Sequence, residues 1–199
     1  MSNDFSNEFY SLLPFTPTNA QKKAVADCVA DLRSDRQMNR LIQGDVGSGK
    51  TAVAGAVMYT VIKNGYQAAM MAPTEILATQ HYESFCKLFE GTDINIALLT
   101  GSTKAAEKKK IKLALSEGQI DLIIGTHALI QNDVEFRNLG LVCTDEQHRF
   151  GVEQRSNLAM KGNNPHLLVM SATPIPRTMG LIIYGDLDIS VLDELPPGR

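Results

Sequence analysis

Short apolar runs alternate with helix-like stretches along most of this chain, and this alternation limits the folds open to it. Six runs have the length and composition of buried strands: 40–44, 67–72, 94–100, 120–125, 139–145 and 166–172. Three stretches between them have helical character and end at a glycine: 49–63, 75–90 and 103–117. Near-continuous apolar strands are typical of a parallel sheet covered on both faces. The sequence therefore predicts an α/β fold, a doubly wound and mostly parallel sheet with helices on both faces.

The predicted topology places polar residues at one edge of the sheet. Right-handed crossovers bring the C-terminal ends of parallel strands to the same edge, where ligands of such sheets bind. The residues at the ends of the apolar runs are Gly44, Pro73, Thr100, Thr126, Asp145 with Glu146, and Ser171. We therefore expect a binding site at this edge.

The segment GDVGSGKT, residues 44–51, matches the pattern G-x-x-x-x-G-K-[ST] between a predicted strand and a predicted helix. Its glycines let successive N–H groups point at a phosphate, and the start of the helix adds a positive dipole end. The lysine supplies charge for the β- and γ-phosphates, and the hydroxyl can bind Mg²⁺. A glycine-rich turn could match by chance, but the strand–loop–helix context favours binding of ATP with Mg²⁺. The candidate nucleotide-binding residues are Gly44, Gly47, Ser48, Gly49, Lys50 and Thr51.

Two adjacent acids, Asp145 and Glu146, end the apolar run 139–145. A phosphate loop of this type works with a second acid that holds the metal ion from another strand of the same sheet. Asp145 suits that role, and Glu146 suits orienting or deprotonating the water that attacks the γ-phosphate. Two solvated acids at a strand end are the alternative. The phosphate loop favours catalysis, with Lys50 as the third catalytic residue.

Composition limits the partners and the compartment of the chain. The net charge is −3, so any nucleic-acid site has to be local rather than part of a global basic field. The basic cluster 104–112 could bind phosphates, but such clusters more often form the solvated face of an amphipathic helix. Three distant cysteines without CxxC spacing indicate reduced thiols in a cytoplasmic protein and argue against a zinc site. The sequence contains no apolar window long enough for a membrane span.

Several segments together resemble the motifs of superfamily-two helicases. They are FTPTNAQKKA (15–24), APTEILATQH (72–81), LLTG (98–101), GTHALI (125–130), DEQH (145–148) and SAT (171–173). The longer stretches DEQHRFGVEQR, MSATPIPRT and YGDLDISVLDELPPGR are similar to members of this superfamily that remodel stalled forks and junctions in double-stranded DNA. Transcription-repair coupling translocases are similar through HRFGV and the PIPRT region, but they usually differ in the phosphate loop and lack DEQH.

The resemblance implies a RecA-like P-loop NTPase lobe that uses ATP and Mg²⁺ and moves along DNA. Gln21 would read the adenine, and the phosphate-loop residues and the two acids would keep the roles given above. Gln147 and His148 would couple the nucleotide site to Ser171 and Thr173. A histidine that only bonds its local backbone is the alternative for His148.

The same resemblance assigns nucleic-acid contacts to residues at the strand ends. Hydroxyls and backbone N–H groups there can contact phosphates without reading the sequence of bases. The pattern alone favours ordinary turn and cap residues at these positions. The resemblance favours DNA contact by Thr74, Thr100, Gly101, Thr126 and His127.

The resemblance also predicts the domain organisation. We expect an N-terminal extension over 1–14, the ATP-binding lobe over 15–192, and the start of a linker to a second lobe over 193–199. The second RecA-like lobe would supply an arginine finger, and a DNA-binding domain of the parent chain would engage branched or fork-like DNA. The isolated lobe would be nearly inactive. An RNA helicase lobe and a nucleotide switch that controls a protein partner remain alternatives.

Overall fold

The computed structural model describes residues 1, 3–44, 49–145, 157–171 and 188–192. Its helices are α1 (Ser6–Tyr10), α2 (Asn19–Arg33), α3 (Lys50–Lys63), α4 (Glu75–Leu88) and α5 (Ala105–Ser116), with a 3-10 helix at His127–Ile130. Its strands are β1 (Asn39–Gly44), β2 (Gln67–Met71), β3 (Ile96–Leu99), β4 (Leu122–Gly125), β5 (Leu139–Asp145), β6 (His166–Ser171) and β7 (Asp188–Leu192). The predicted strands and helices are all present, within a few residues of their expected ends.

The described strands form one sheet in the order β3-β4-β2-β5-β6-β1-β7. All of their pairings are parallel. The predicted α/β class is confirmed, and the described strands are parallel throughout rather than mostly so. The C-terminal ends of all these strands therefore lie at one edge, with β5, β6 and β1 on one side of β2 and β4 and β3 on the other.

Alternate residues of the central strands enter two different cores, as expected for a sheet with helices on both faces. In β2, Ala68 and Met70 belong to one core, whereas Ala69 and Met71 belong to the other. The first core is completed by buried side chains of α1 to α4, and the second by α5, which contributes Leu115. This burial of apolar surface on both faces is the main source of stability for such a fold.

Helix α3 lies between the sheet and helices α1 and α2, and it is therefore buried around most of its circumference. Every residue from Val53 to Val61 is buried. A Cβ added at Gly55 would lie 2.8 Å from Leu88 Cδ2 and 3.0 Å from Phe9 Cζ, so glycine allows these side chains to approach the helix. Neither α3 nor any other helix in the described part of the chain is long and apolar enough to cross a membrane.

Strand β7 was not predicted, and an ion-pair network holds it against β1. Arg40 of β1 donates from Nε to Asp31 Oδ2 over 2.7 Å and from Nη1 to Ser190 Oγ over 3.0 Å. Ser190 Oγ in turn donates to Asp27 Oδ2 over 2.9 Å. The five residues of β7 are too short and too polar a run to stand out from sequence alone, and its pairing with β1 defines it as a strand.

The basic cluster 104–112 lies on α5 and supports the interpretation as a solvated helix face. Lys110 is exposed, whereas Ile111 is buried against the second core. The Nζ atom of Lys112 lies 2.6 Å from Asp133 Oδ2, so this lysine is paired with a carboxylate of the same domain. An exposed pair of this kind adds little to stability.

Side chains at the N-terminal edge of the sheet bond backbone groups. Gln67 donates from Nε2 to the carbonyls of Leu115 (3.0 Å) and Ile120 (2.8 Å), and its Oε1 accepts from Asn138 N over 2.9 Å. His166 Nδ1 accepts from Met38 N over 2.9 Å. These bonds satisfy backbone groups where strands begin, at the edge opposite the predicted site.

His166 gives a testable pH dependence of stability. Burial lowers the pKa of His166, and the N-terminal ammonium lowers it further while Asp31 opposes the change. The unfolded chain therefore takes up a proton at this residue below about pH 6.5 that the folded chain resists, and the unfolding free energy should decrease as the pH falls through that value.

Chemical denaturation at about pH 7.5 and about pH 5.5 measures this loss of stability. His166→Asn keeps an acceptor for Met38 N but does not titrate, so we expect a smaller decrease in the variant. Equal decreases in the two proteins would contradict the assignment.

Candidate nucleotide-binding site

The register of three adjacent strands places two parts of the predicted nucleotide site, Gly44 at the end of β1 and Asp145 at the end of β5, at the same edge. In β1, Gln43 is paired with Ser171 of β6, and Met170 of β6 is paired with Asp145 of β5. The end of β1 at Gly44 and the carboxylate of Asp145 are therefore separated by the single strand β6. With strands about 4.8 Å apart, the backbones of β1 and β5 are about 10 Å from each other.

The described end of the phosphate loop leads directly into helix α3. Gly49 adopts the left-handed conformation with φ of 87°, which glycine tolerates without steric cost, and α3 begins at Lys50. The Lys50 ammonium donates to the Gly44 carbonyl over 2.5 Å, so this side chain reaches back to the end of β1. Thr51 stands in the first turn of the helix, where the positive end of the helix dipole favours an anion.

Gln21 is almost completely buried, with 1% exposure, and packs against the end of the phosphate loop. It forms a capping box with Thr18: its Oε1 accepts from Thr18 N over 2.8 Å, and its own N–H donates to Thr18 Oγ1 over 3.1 Å. Its Nε2 donates to the Gly49 carbonyl over a long 3.4 Å. A Cβ added at Gly49 would lie only 1.7 Å from that nitrogen. The structure thus places the Gln21 amide against Gly49, directly before helix α3, and adenine reading by Gln21 stays a prediction.

The carboxylate of Asp145 has a partner that the sequence did not suggest. Asp145 Oδ2 lies 2.7 Å from His81 Nε2 of helix α4, and the two side chains are 19% and 15% exposed. The His81 ring also stacks on Phe85 one turn later, with ring centroids 6.4 Å apart. His81 closes the motif-like segment 72–81, but only the pairing of β2 with β5 shows that its helix lies beside Asp145.

The predicted nucleic-acid residues cluster at the ends of β2, β3 and β4, on the other side of the same edge. Gly101 and His127 are exposed, whereas Thr100 and Thr126 are buried. Thr74 caps helix α4 by accepting from Leu77 N over 3.2 Å, so it also has the structural role expected of a cap. The five residues lie at the same edge of the sheet, with Thr74, Gly101 and His127 exposed, and DNA contact by them stays a prediction.

Glu75 joins two of these turns, and the sequence did not suggest this role either. Its Oε1 accepts from Ser102 N over 2.8 Å, and its Oε2 accepts from Ser102 Oγ over 3.1 Å. These bonds lower the pKa of the Glu75 carboxyl, with the backbone bond as the largest cause. The start of α4 and the turn that follows Thr100 are therefore held together as one surface.

The segment GTHALI begins with Gly125, and the close approach of the neighbouring strand β3 explains why a glycine stands there. A Cβ at this position would lie 2.1 Å from the Leu99 carbonyl oxygen, which belongs to the backbone of the neighbouring strand. A backbone atom cannot give way as a flexible side chain can, so any larger residue would separate β4 from β3. Glycine at 125 thus fixes the distance between the turns that carry Thr100 and Thr126.

Several predicted site residues lie outside the described residues: Gly47, Ser48, Glu146, Gln147, His148 and Thr173. Ser171 is described, and it is buried at the end of β6, between the strand that ends in Gly44 and the strand that ends in Asp145. This location is compatible with the predicted coupling role.

Comparison with known proteins points to one family. A model of the DEAD/DEAH box helicase family matches residues 18–181. The chain is 55% identical over 199 residues to the ATP-dependent DNA helicase RecG of Bacillus subtilis (strain 168), covering 98% of this chain and 29% of that protein. It is 57% identical over 194 residues to RecG of Thermotoga maritima, covering 98% of this chain and 25% of that protein. The chain thus spans less than a third of the length of these curated relatives.

Solved structures support the same fold. A structure of RecG bound to a three-way DNA junction aligns with a TM-score of 0.85 and 54% identity, covering 98% of this chain and 26% of that chain. The DEAD-box helicase Mss116 bound to single-stranded RNA and UDP-BeF aligns with a TM-score of 0.74 and 17% identity, covering 97% of this chain and 44% of that chain. At this low identity the second alignment shows the RecA-like fold alone.

The contacts of Gln21 predict that two substitutions in the same capping box will have different effects. Thr18→Ala removes a cap and should lower the unfolding free energy by about 1 kcal/mol, while Gln21 still contacts Gly49. Gln21→Ala should lower the unfolding free energy by a similar amount and also weaken nucleotide binding, because the end of the phosphate loop loses its support.

Denaturation and titration with a fluorescent ATP analogue measure the two effects separately. If Thr18→Ala weakens binding as much as Gln21→Ala does, Gln21 acts only through the start of helix α2.

Proposed function

The chain belongs to the DEAD/DEAH box helicase family, and we propose that it is the ATP-binding motor lobe of a DNA helicase that remodels branched DNA in recombination and repair. The identity of 53–58% to eight RecG helicases supports this assignment over a transcription-repair coupling translocase. The chain would work with a second RecA-like lobe and a DNA-binding domain of a longer parent protein.

One observation carries the proposal: β1, β6 and β5 are adjacent, parallel and in register. The end of β1 at Gly44 and Asp145 of β5 are therefore at the same edge of the sheet, separated by about two strand spacings, and this supports a shared nucleotide site. A triphosphate held at the start of α3 would lie in front of β6, within reach of both. The opposite arrangement, with loop and acid at different edges, would have excluded a shared metal ion.

The described residues fit a nucleotide with Mg²⁺. The Thr51 hydroxyl and the Asp145 carboxylate are oxygen ligands, which Mg²⁺ prefers, and Mg²⁺ usually takes only one or two protein ligands with phosphates and waters completing its shell. Bound there, Mg²⁺ would neutralise charge on the β- and γ-phosphates.

In the proposed mechanism, each predicted nucleotide-site residue has a separate task. Lys50 would exchange its bond to the Gly44 carbonyl for the phosphates, and the N–H groups at the start of α3 would bind phosphate oxygens. Glu146, next to Asp145, would orient and deprotonate the attacking water. Gln147 and His148 would connect this chemistry to Ser171 and Thr173.

The residues at the ends of β2, β3 and β4 support the proposal of a motor that binds the phosphate backbone of a nucleic acid. Exposed Gly101 and His127 and the cap residue Thr74 would present N–H and hydroxyl donors without reading bases. RecG has been solved on a three-way DNA junction, and for this chain we propose branched or fork-like DNA as the partner.

A cytoplasmic location is part of the proposal, because reduced thiols are typical of that compartment. Cys28 and Cys143 are buried free thiols. Burial raises the pKa of Cys28 to about 12 and raises that of Cys143 as well, so both thiols are protonated and serve as packing groups.

The proposed role of Lys50 predicts a loss of ATPase activity in Lys50→Ala. In the whole helicase that contains this lobe, kcat for DNA-stimulated hydrolysis should fall by about 10²- to 10³-fold, as when one preorganised donor to the reacting group is removed. Lys63→Ala, at the other end of the same helix, is the matched control and should keep the wild-type rate.

Rates measured with branched DNA, with linear DNA and with RNA test the partner in the same assay. Full stimulated activity in Lys50→Ala would refute the mechanism. Stimulation by RNA in place of DNA would favour an RNA helicase, and ATP hydrolysis indifferent to any nucleic acid would favour a nucleotide switch.

The two-lobe proposal predicts low activity for the isolated chain. Without an arginine finger from a second lobe, its hydrolysis rate should be at least about 10³-fold below that of the whole helicase with DNA. A phosphate-release assay on the two proteins at equal nucleotide saturation measures the ratio. Processive unwinding by the isolated chain would contradict the prediction.

A further inference from the structure

The contact between His81 and Asp145 joins two elements that are far apart in the chain. His81 lies on α4, which follows β2, and Asp145 ends β5, the strand that pairs with β2. Their Nε2 and Oδ2 atoms are 2.7 Å apart, although 64 residues separate them in sequence. Both side chains are mostly buried, so this bond is shielded from competing water.

The chemistry of the pair fixes the direction of the hydrogen bond. A carboxylate oxygen accepts hydrogen bonds, so His81 Nε2–H is the donor to Asp145 Oδ2. This bond holds the carboxylate, whose terminal torsion is otherwise broad and roughly two-fold. One oxygen is then engaged with the histidine, and the other is held in a defined direction.

We propose that His81 is a positioning residue for the magnesium-binding carboxylate of Asp145, a role that rests on the proposed ATP-binding function. His81 does not touch the metal ion or the nucleotide. It holds Asp145 in the orientation that presents its second oxygen to the cation, as outer-shell donors do for ligands in other metal sites.

The packing of His81 allows the hydrogen bond to be removed without removing the ring. His81→Phe keeps an aromatic ring to stack on Phe85 but has no N–H for Asp145. His81→Gln places an amide N–H donor at about the reach of Nε2 and gives up the ring. A purely structural role predicts that the phenylalanine variant is the milder change, whereas a positioning role predicts that the glutamine variant is.

The experiment uses the whole helicase and measures nucleotide binding rather than turnover. A fluorescent, non-hydrolysable ATP analogue is titrated at a series of Mg²⁺ concentrations and in excess chelator, with Asp145→Asn as the reference and thermal melting as the check on folding. We expect His81→Phe to raise the Mg²⁺ concentration for half-maximal binding by about 10-fold or more. We expect His81→Gln to stay within about 3-fold of wild type, because its amide restores the donor.

The measurement in chelator separates positioning from general damage. Binding without metal should be the same in His81→Phe and wild type, because the phosphate loop is intact. If Asp145→Asn shifts the Mg²⁺ dependence and His81→Phe does not, His81 has no positioning role while the proposed function stands. Weaker binding by His81→Phe in chelator as well would also overturn the proposal in favour of a structural role. If Asp145→Asn leaves the Mg²⁺ dependence unchanged, the proposed metal site itself fails.

Discussion

Parallel pairing of β1, β6 and β5 is the constraint on which the candidate site depends. Parallel strands deliver their C-terminal ends to one edge, and the register between Gln43, Ser171, Met170 and Asp145 sets how far each end projects. A shift of one residue in β5 would turn the Asp145 side chain to the other face of the sheet. The two buried cores oppose such a shift in β5, because Leu141 and Cys143 enter one core and Val142 enters the other, and a shift would exchange them.

The fold could be predicted from sequence because its signals are local. Apolar runs such as 139–145 and the glycines that end the helices are read within a short window, and so is the loop 44–51. Strand β7 could not be predicted in this way. Its five residues include an exposed aspartate, and they become a strand through pairing with β1 and through the bond between Arg40 and Ser190.

The sequence predicted which residue types would lie at one edge of the sheet. It did not predict most of the contacts that these residues make. The pattern indicated that Lys50 and Asp145 would share that edge. It gave no sign that His81 would reach Asp145, or that Glu75 would bind Ser102, because both contacts depend on which strands are neighbours. For Gln21 the resemblance to helicase motifs suggested adenine recognition, and the structure adds a capping box with Thr18 and a contact with Gly49. The contact with Gly49 depends on the fold, so residue types alone do not reveal it.

The two edges of the sheet are built from different kinds of residue, as the two ends of β2 and β6 show. Where β2 and β6 begin, Gln67 and His166 tie backbone groups together with side-chain bonds. Where the same strands end, smaller residues stand: Ala72 follows β2, and Ser171 ends β6. Changes made where these strands begin therefore act on backbone bonds at the edge opposite Gly44 and Asp145. An engineered thermostable version of this lobe would gain its added rigidity there, at the opposite end of the strands from the proposed catalytic groups.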